Sequence, residues 1–177
     1  MKQIIIIVIT LFYALIQLDA QNLDRLDKDN GFRKFILGSS FDIFKNELQP
    51  FKQVNPAFNS YRYAGEDSTL RDIAGVHPFE IHLLFDTTNS LISVALFCFM
   101  TNDGKAFEKK SQQMFEAVKK WFTDLYGSDY SVVQTDISDG ILWETEKVEL
   151  SVRMCYDKQM TWRQIVVSIT KNRLCKK

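Results

Sequence analysis

Three cysteines and two histidines in 177 residues leave little from which to build a disulfide framework or a metal centre. Cys98, Cys155 and Cys175 match neither a stapled scaffold nor a zinc knuckle, and their odd number leaves at least one thiol unpaired within a monomer. A free cysteine usually behaves as a small hydrophobe; an intermolecular bridge through the terminal Cys175 is the alternative. Net charge is missing as well. The 22 basic residues balance the 22 acidic ones, so no overall field draws nucleic acid or an anionic membrane. There is no Gly-x-Ser-x-Gly elbow, no P-loop lysine, and no cysteine with an obvious histidine and orienting acid. Long apolar runs are absent after the first twenty residues.

The one such run is informative. Lys2 precedes an apolar stretch from Ile4 to Ile16, broken only by Thr10, and Ala20 offers a small residue before Gln21. A basic start, an apolar middle and a small residue at the cut predict a secretory signal over 1–20, cleaved between Ala20 and Gln21. The run is shorter than the ~20 apolar residues that span a bilayer, so no membrane span is expected after cleavage. No cysteine near the cut would take a lipid. The chain is therefore read as exported, periplasmic or extracellular.

The mature chain is long enough to bury ~70% of its unfolded surface around one core. Fourteen phenylalanines suit sheet surfaces and packed interfaces. Residues 21–31 read as a polar, flexible lead-in ended by Gly31, and 32–170 as a single domain with a basic tail over 171–177. Within the domain, Phe32 to Leu37 reads as a strand, and Ser39 or Ser40 is placed to cap a short helix from Phe41 to Leu48. Gln49 to Pro56 reads as a loop, Phe58 to Ala64 as a strand and Leu70 to Ala74 as a weak one. Pro78 to Phe85 and Leu91 to Met100 form a hairpin across Asp86-Thr87-Thr88-Asn89-Ser90. A long amphipathic helix runs to Tyr126, with Phe107, Met114, Phe115, Val118, Phe122 and Leu125 at helical spacing and Gly127 as its stop. Four strands follow: Tyr130 to Asp136, Ile141 to Glu144, Val148 to Tyr156 and Trp162 to Thr170. Asp139-Gly140 and Asp157 to Thr161 serve as turns.

The two strong hairpins coincide at a fixed offset: Phe79 falls on Leu150, Ile81 on Val152, Leu83 on Met154, Phe85 on Tyr156 and Asp86 on Asp157. Each half, about 32–101 and 102–170, thus reads as one helix plus four strands. Equal turn lengths predict Leu83 opposite Val94 and Ile81 opposite Leu96, and likewise Met154 opposite Ile165 and Val152 opposite Val167. Both hairpins then show one apolar side to the helices. The expected fold is α+β, an antiparallel sheet from two pseudo-repeats with two helices on one face.

On the Leu-Gly-Ser opening, the helix and the strands that follow, the chain resembles the duplicated helix-plus-strand modules of bacterial envelope proteins. In its doubling it is similar to the β-lactamase-inhibitor-protein fold, and a saddle of the TATA-binding-protein type has the same element order. The resemblance implies a binder. It carries over no functional residue.

The side of the first hairpin away from the helices bears Glu80, His82, Phe97 and Phe99. Aromatic area there marks an interface with a partner or a second copy, lines a small-ligand groove, or lies under a loop, Gln49 to Phe58 being the candidate cover. Glu80 and His82, two residues apart on one strand, share a side and could in principle serve as an acid and base pair. Two ligands do not make a zinc site, and His77 precedes Pro78 at the strand's start. Gly38-Ser39-Ser40 at a helix start could receive an anion. Trp121, Trp143 and Trp162 read as packing residues, Trp162 being the one that a hairpin tip would leave wet. The expectation is an exported, non-catalytic binding protein with no cofactor, bound metal or catalytic residue, whose partner is another envelope or secreted protein. Phe97 and Phe99 would be apolar anchors, with Glu80 and His82 as polar contacts. A small hydrolase or metal-dependent enzyme around His82, and a structural envelope component, are the alternatives.

Overall fold

The computed structural model of the chain describes residues 23–51, 57–100, 105–157 and 162–172. The predicted cut at Ala20 and Gln21, the last residues of the basic tail and Cys175 lie outside them. Residues 23–29 are helical (α1) and lead into a small hairpin of β1 (Gly31–Phe32) and β2 (Phe35–Ile36). Eight strands make the main sheet: β3 (Leu48–Pro50), β4 (Asn59–Tyr63), β5 (Glu80–Phe85), β6 (Leu91–Met100), β7 (Ser131–Thr135), β8 (Ser138–Glu144), β9 (Val148–Tyr156) and β10 (Arg163–Lys171). The long helix α2 (Lys105–Tyr126) separates β6 from β7. The spatial order is β3-β4-β5-β6-β10-β9-β8-β7, antiparallel throughout, so each group of four strands is a meander and the last strands of the two groups pair at the centre. This is an α+β fold.

Strand alternation and turn chemistry produce the central register. Ile81 faces Leu96 and Leu83 faces Val94; Val152 faces Val167 and Met154 faces Ile165. The first turn is held by Asp86, whose carboxylate accepts from the Thr88 hydroxyl at 2.7 Å and from the backbone N–H of Thr88 and Ser90. Those bonds, the Thr88 hydroxyl first, keep the Asp86 carboxyl below its ordinary range. At the second turn the Asp157 carboxylate accepts from the Trp162 N–H. The apolar side of the four central strands is sealed, with Leu83, Val94, Leu96, Val152, Ile165 and Val167 inaccessible to solvent.

On that side α2 covers β9 and β10 through Phe115, Val118 and Phe122, one helical stripe. Its end is fixed. Gly127 takes φ 82°, a left-handed stop, and its carbonyl accepts from the buried Trp143 indole N–H at 2.9 Å. Trp143 is thus core, as expected.

The first half departs from the expected helix plus four strands. Residues 23–29, read as a loose lead-in, form α1, because Leu26 is buried while the Asp27 and Asp29 carboxylates accept from the hydroxyls of Thr145 and Tyr126. So short a helix rests on such tertiary bonds rather than on propensity. The strand read over Phe32 to Leu37 is the β1–β2 hairpin, turning at Arg33, where φ is 55°. No α-helix forms between Phe41 and Leu48. Two 3-10 turns, Phe41–Ile43 and Lys45–Glu47, stand there, the first capped by the Ser40 hydroxyl. The chain just before them is clamped to the β5–β6 turn: Gly38 N–H donates to Leu91 O, Leu91 N–H to Ser39 O and Phe41 N–H to Asn89 O. That clamp sets the direction of the backbone before a helical ladder can extend. The Gly38 and Phe41 donors that an anion would need are thereby occupied.

Three smaller corrections follow. Leu48–Pro50, read as the end of the short helix and the start of a loop at Gln49, is the edge strand β3, a position where proline's missing N–H costs nothing. Ser68–Arg71 is a 3-10 turn capped by Asp67, followed by an isolated bridge between Ile73 and Val76, so the weak strand over Leu70 to Ala74 does not exist. Asp139 and Gly140 lie within β8 and the turn falls at Asp136 and Ile137. Glycine is needed there, since a Cβ would run into the Val152 carbonyl and the Arg153 stem. The likeness of the halves is confined to the central hairpins. Leu83 has Tyr61 as its outer neighbour, whereas its counterpart Met154 has Asp139.

Candidate functional site

The helices and the β1–β2 hairpin all cover one side of the sheet, and among the described residues no helix lies on the other. Alternation along β4, β5, β6, β10, β9 and β8 aims Arg62, His82, Ala95, Ser168, Ser151 and Leu142 at this open side as one cross-strand row. The adjoining row holds Glu80, Phe97, Val166, Arg153 and Gly140. Side chains here are half-buried by their neighbours rather than by a covering layer.

On the β3–β6 half, His82 is the hub. Its Nε2 stands 3.0 Å from Glu80 Oε2, and its ring lies between those of Phe51 and Phe97, with centroids at 4.4 and 4.7 Å. Glu80 is also 3.6 Å from Arg62, which donates to Gln49 Oε1 at 2.8 Å. Glu80, His82 and Phe97 therefore meet as expected. Phe51 completes the stack from beyond β3 and stays 43% exposed, so the start of the segment read as a cover does fold over the face. Residues 52–56, the middle of that segment, lie outside the described residues. Phe99 stands opposite Gln164 in register; its side chain is outside what is described.

From β6 across to β9 the face carries paired hydroxyls. Ser93 bonds Thr170 and Ser151 bonds Ser168, each at 2.8 Å. The Arg153 stem crosses Gly140, and its Nε is buried with no hydrogen-bond partner. Cys155 stands opposite Gln164 on the open side, whereas Cys98 is buried opposite Ile165 on the helix side, so the two cannot bond. Burial pushes the Cys98 thiol up to about 12 and raises that of Cys155, against the pull of Arg153.

Chemically, His82 and Glu80 form a hydrogen-bonded pair. The cross-strand neighbours of His82 are Arg62 and Ala95, neither with a hydroxyl or thiol. His77 is exposed in the loop before β5. Among the described residues no three His, Cys, Asp or Glu side chains gather as a metal group, and no described helix is long and apolar enough to cross a membrane. Trp162 is 37% exposed.

Sequence reasoning missed a second concavity. Between α1, the β1–β2 hairpin and α2 lies a groove of about 530 Å³, with Arg25, Lys28 and Arg33 around Phe32, Trp121 and Leu125. Its signal in the sequence was hidden because the segment that supplies Arg25 and Lys28 reads as coil. Two of the three are engaged: Arg25 lies 3.6 Å from Asp29, and Arg33 donates to the Asp72 carbonyl at 2.7 Å.

No family model, curated protein or solved structure matches this chain.

Proposed function

We propose that this protein is an exported, non-catalytic binding protein that captures a partner on the open side of its sheet. The partner is another envelope or secreted protein. Phe97 and Phe99 act as apolar anchors, and Glu80 and His82 as polar contacts beside them. The observation that carries the reading is the Phe51, His82 and Phe97 stack on a sheet side that no helix covers among the described residues. Stacked rings with one partly wet member are the kind of centre from which interfaces draw most of their binding energy. The resemblance to the β-lactamase-inhibitor-protein layout supports the same class, since such families are mainly binders. Export rests on the apolar run from Ile4 to Ile16.

The test is recovery of partners from an envelope fraction by the wild type and by Phe97→Asp. Phe97 is half-buried and lies outside the hydrophobic core cluster, so the folded state should survive, and recovery should fall at least tenfold. Equal recovery by two folded proteins overturns the reading.

A further inference from the structure

We propose that the partner on the open side is a second copy of this chain, packed sheet against sheet about a twofold axis lying along β6 and β10. This rests on the reading above that the open side is a binding surface, and puts a second copy there in place of a different envelope or secreted protein.

Across the four central strands, one row of the open side reads Glu80, Phe97, Val166, Arg153. A twofold axis between β6 and β10 lays this row on itself in reverse. Glu80 then meets Arg153 of the second copy, and Phe97 meets Val166, with the same contacts repeated on the far side of the axis. The neighbouring row, His82, Ala95, Ser168, Ser151, behaves likewise: the bulk of His82 under Phe51 falls on the small Ser151, which stands between Ser168 and Leu142. An isologous contact requires a surface that complements itself in charge and in shape. These two rows do.

Arg153 supplies the demand for an acceptor. No carboxylate lies within ion-pair distance of it among the described residues, and its Nε is shielded from water without a partner. That nitrogen is closed to a second molecule, so it is the rest of the half-buried Arg153 side chain that an incoming carboxylate meets, in a charge-assisted contact. Glu80 has capacity for this. Its side chain is 29% exposed, and His82 and Arg62 engage its two oxygens on one side each, leaving lone pairs free. The extent of the side is also adequate. Eight strands ~4.8 Å apart present roughly 700–800 Å² per copy, the scale of a stable complex. Sheets of equal twist pack face to face ~10 Å apart.

Sedimentation of the mature chain over a wide concentration series tests the proposal. The wild type should form a dimer. Glu80→Arg and Arg153→Glu, each checked for folding by circular dichroism, should each weaken self-association at least tenfold. An equimolar mixture of the two should recover it, because acid and base are restored at both symmetric contacts. If either reversal fails to fold, Glu80→Gln and Arg153→Met should still each weaken the dimer. A wild type that stays monomeric throughout, or a mixture no better than its components, overturns the second copy as occupant. Loss of envelope partners by Phe97→Asp from a monomeric wild type would leave the binding reading standing without it; retention of those partners would remove both.

Discussion

Cys98 shows how one side chain takes its chemistry from the face it is given. As a sequence feature it is a lone thiol near His82; in the sheet the two point to opposite sides. Desolvation beneath the helix layer lifts the Cys98 thiol to about 12. It therefore keeps its proton in the folded state, while in the unfolded chain it ionises near its ordinary value of ~8.5. Its contribution to stability is complete below that value and is lost as pH rises toward 12. Urea unfolding at pH 7.5 and at pH ~10 should show a decline in stability that Cys98→Ala reduces. A disulfide-exchange reagent should leave Cys98 unmodified until the protein unfolds. Rapid modification of Cys98 in the native protein would contradict its placement.

At the scale of elements, the two edges of the sheet are built differently. β3 has three residues and ends in Pro50, a defended edge. β7, Ser-Val-Val-Gln-Thr, has neither proline nor charge, and Val132 is 78% exposed. The Tyr156 N–H donates to the Ile137 carbonyl, which turns the backbone groups of Ser138 toward β7. By alternation Ser131, Val133 and Thr135 bond to β8, and Val132 and Gln134 aim theirs at solvent. Gln134→Pro should therefore change stability by less than about 1 kcal/mol, whereas Val133→Pro removes a ladder donor and should cost about 1–3 kcal/mol. Denaturant midpoints decide this; equal losses would refute the assigned orientation.

At the scale of the molecule, one hydrophobic cluster runs from Leu26 and Phe35 through the central strands to Trp143. It crosses from β6 to β10 without a break, through Leu96 against Val167 and Cys98 against Ile165. The halves are thus not independent folding units, whatever the likeness of their hairpins. A fragment over 102–172 would expose the β10 edge together with the apolar side that β6 and the β1–β2 hairpin help to close. It should be unfolded by circular dichroism and amide exchange. A cooperatively folded fragment would argue instead for two autonomous modules.

Reading the chain alone determined the central hairpins, their registers and the long helix. Each follows from local rules that no neighbour overrides: alternation of period two, an Asp-led turn of known length, and an apolar stripe ended by Gly127. Those rules also placed Glu80, His82 and Phe97 on one side and Cys98 on the other, so the heart of the candidate site was legible. Tertiary structure alone decided the rest. α1 exists because Thr145 and Tyr126, far along the chain, bond its aspartates. The segment after Gly38 makes 3-10 turns because the β5–β6 turn clamps its backbone. Gly140 enters a strand because Arg153 must pass over it, and Phe51 reaches His82 because β3 joins the edge beside β4. In each case the partner is distant in sequence, and a local pattern holds no record of a contact that only the closed chain brings about.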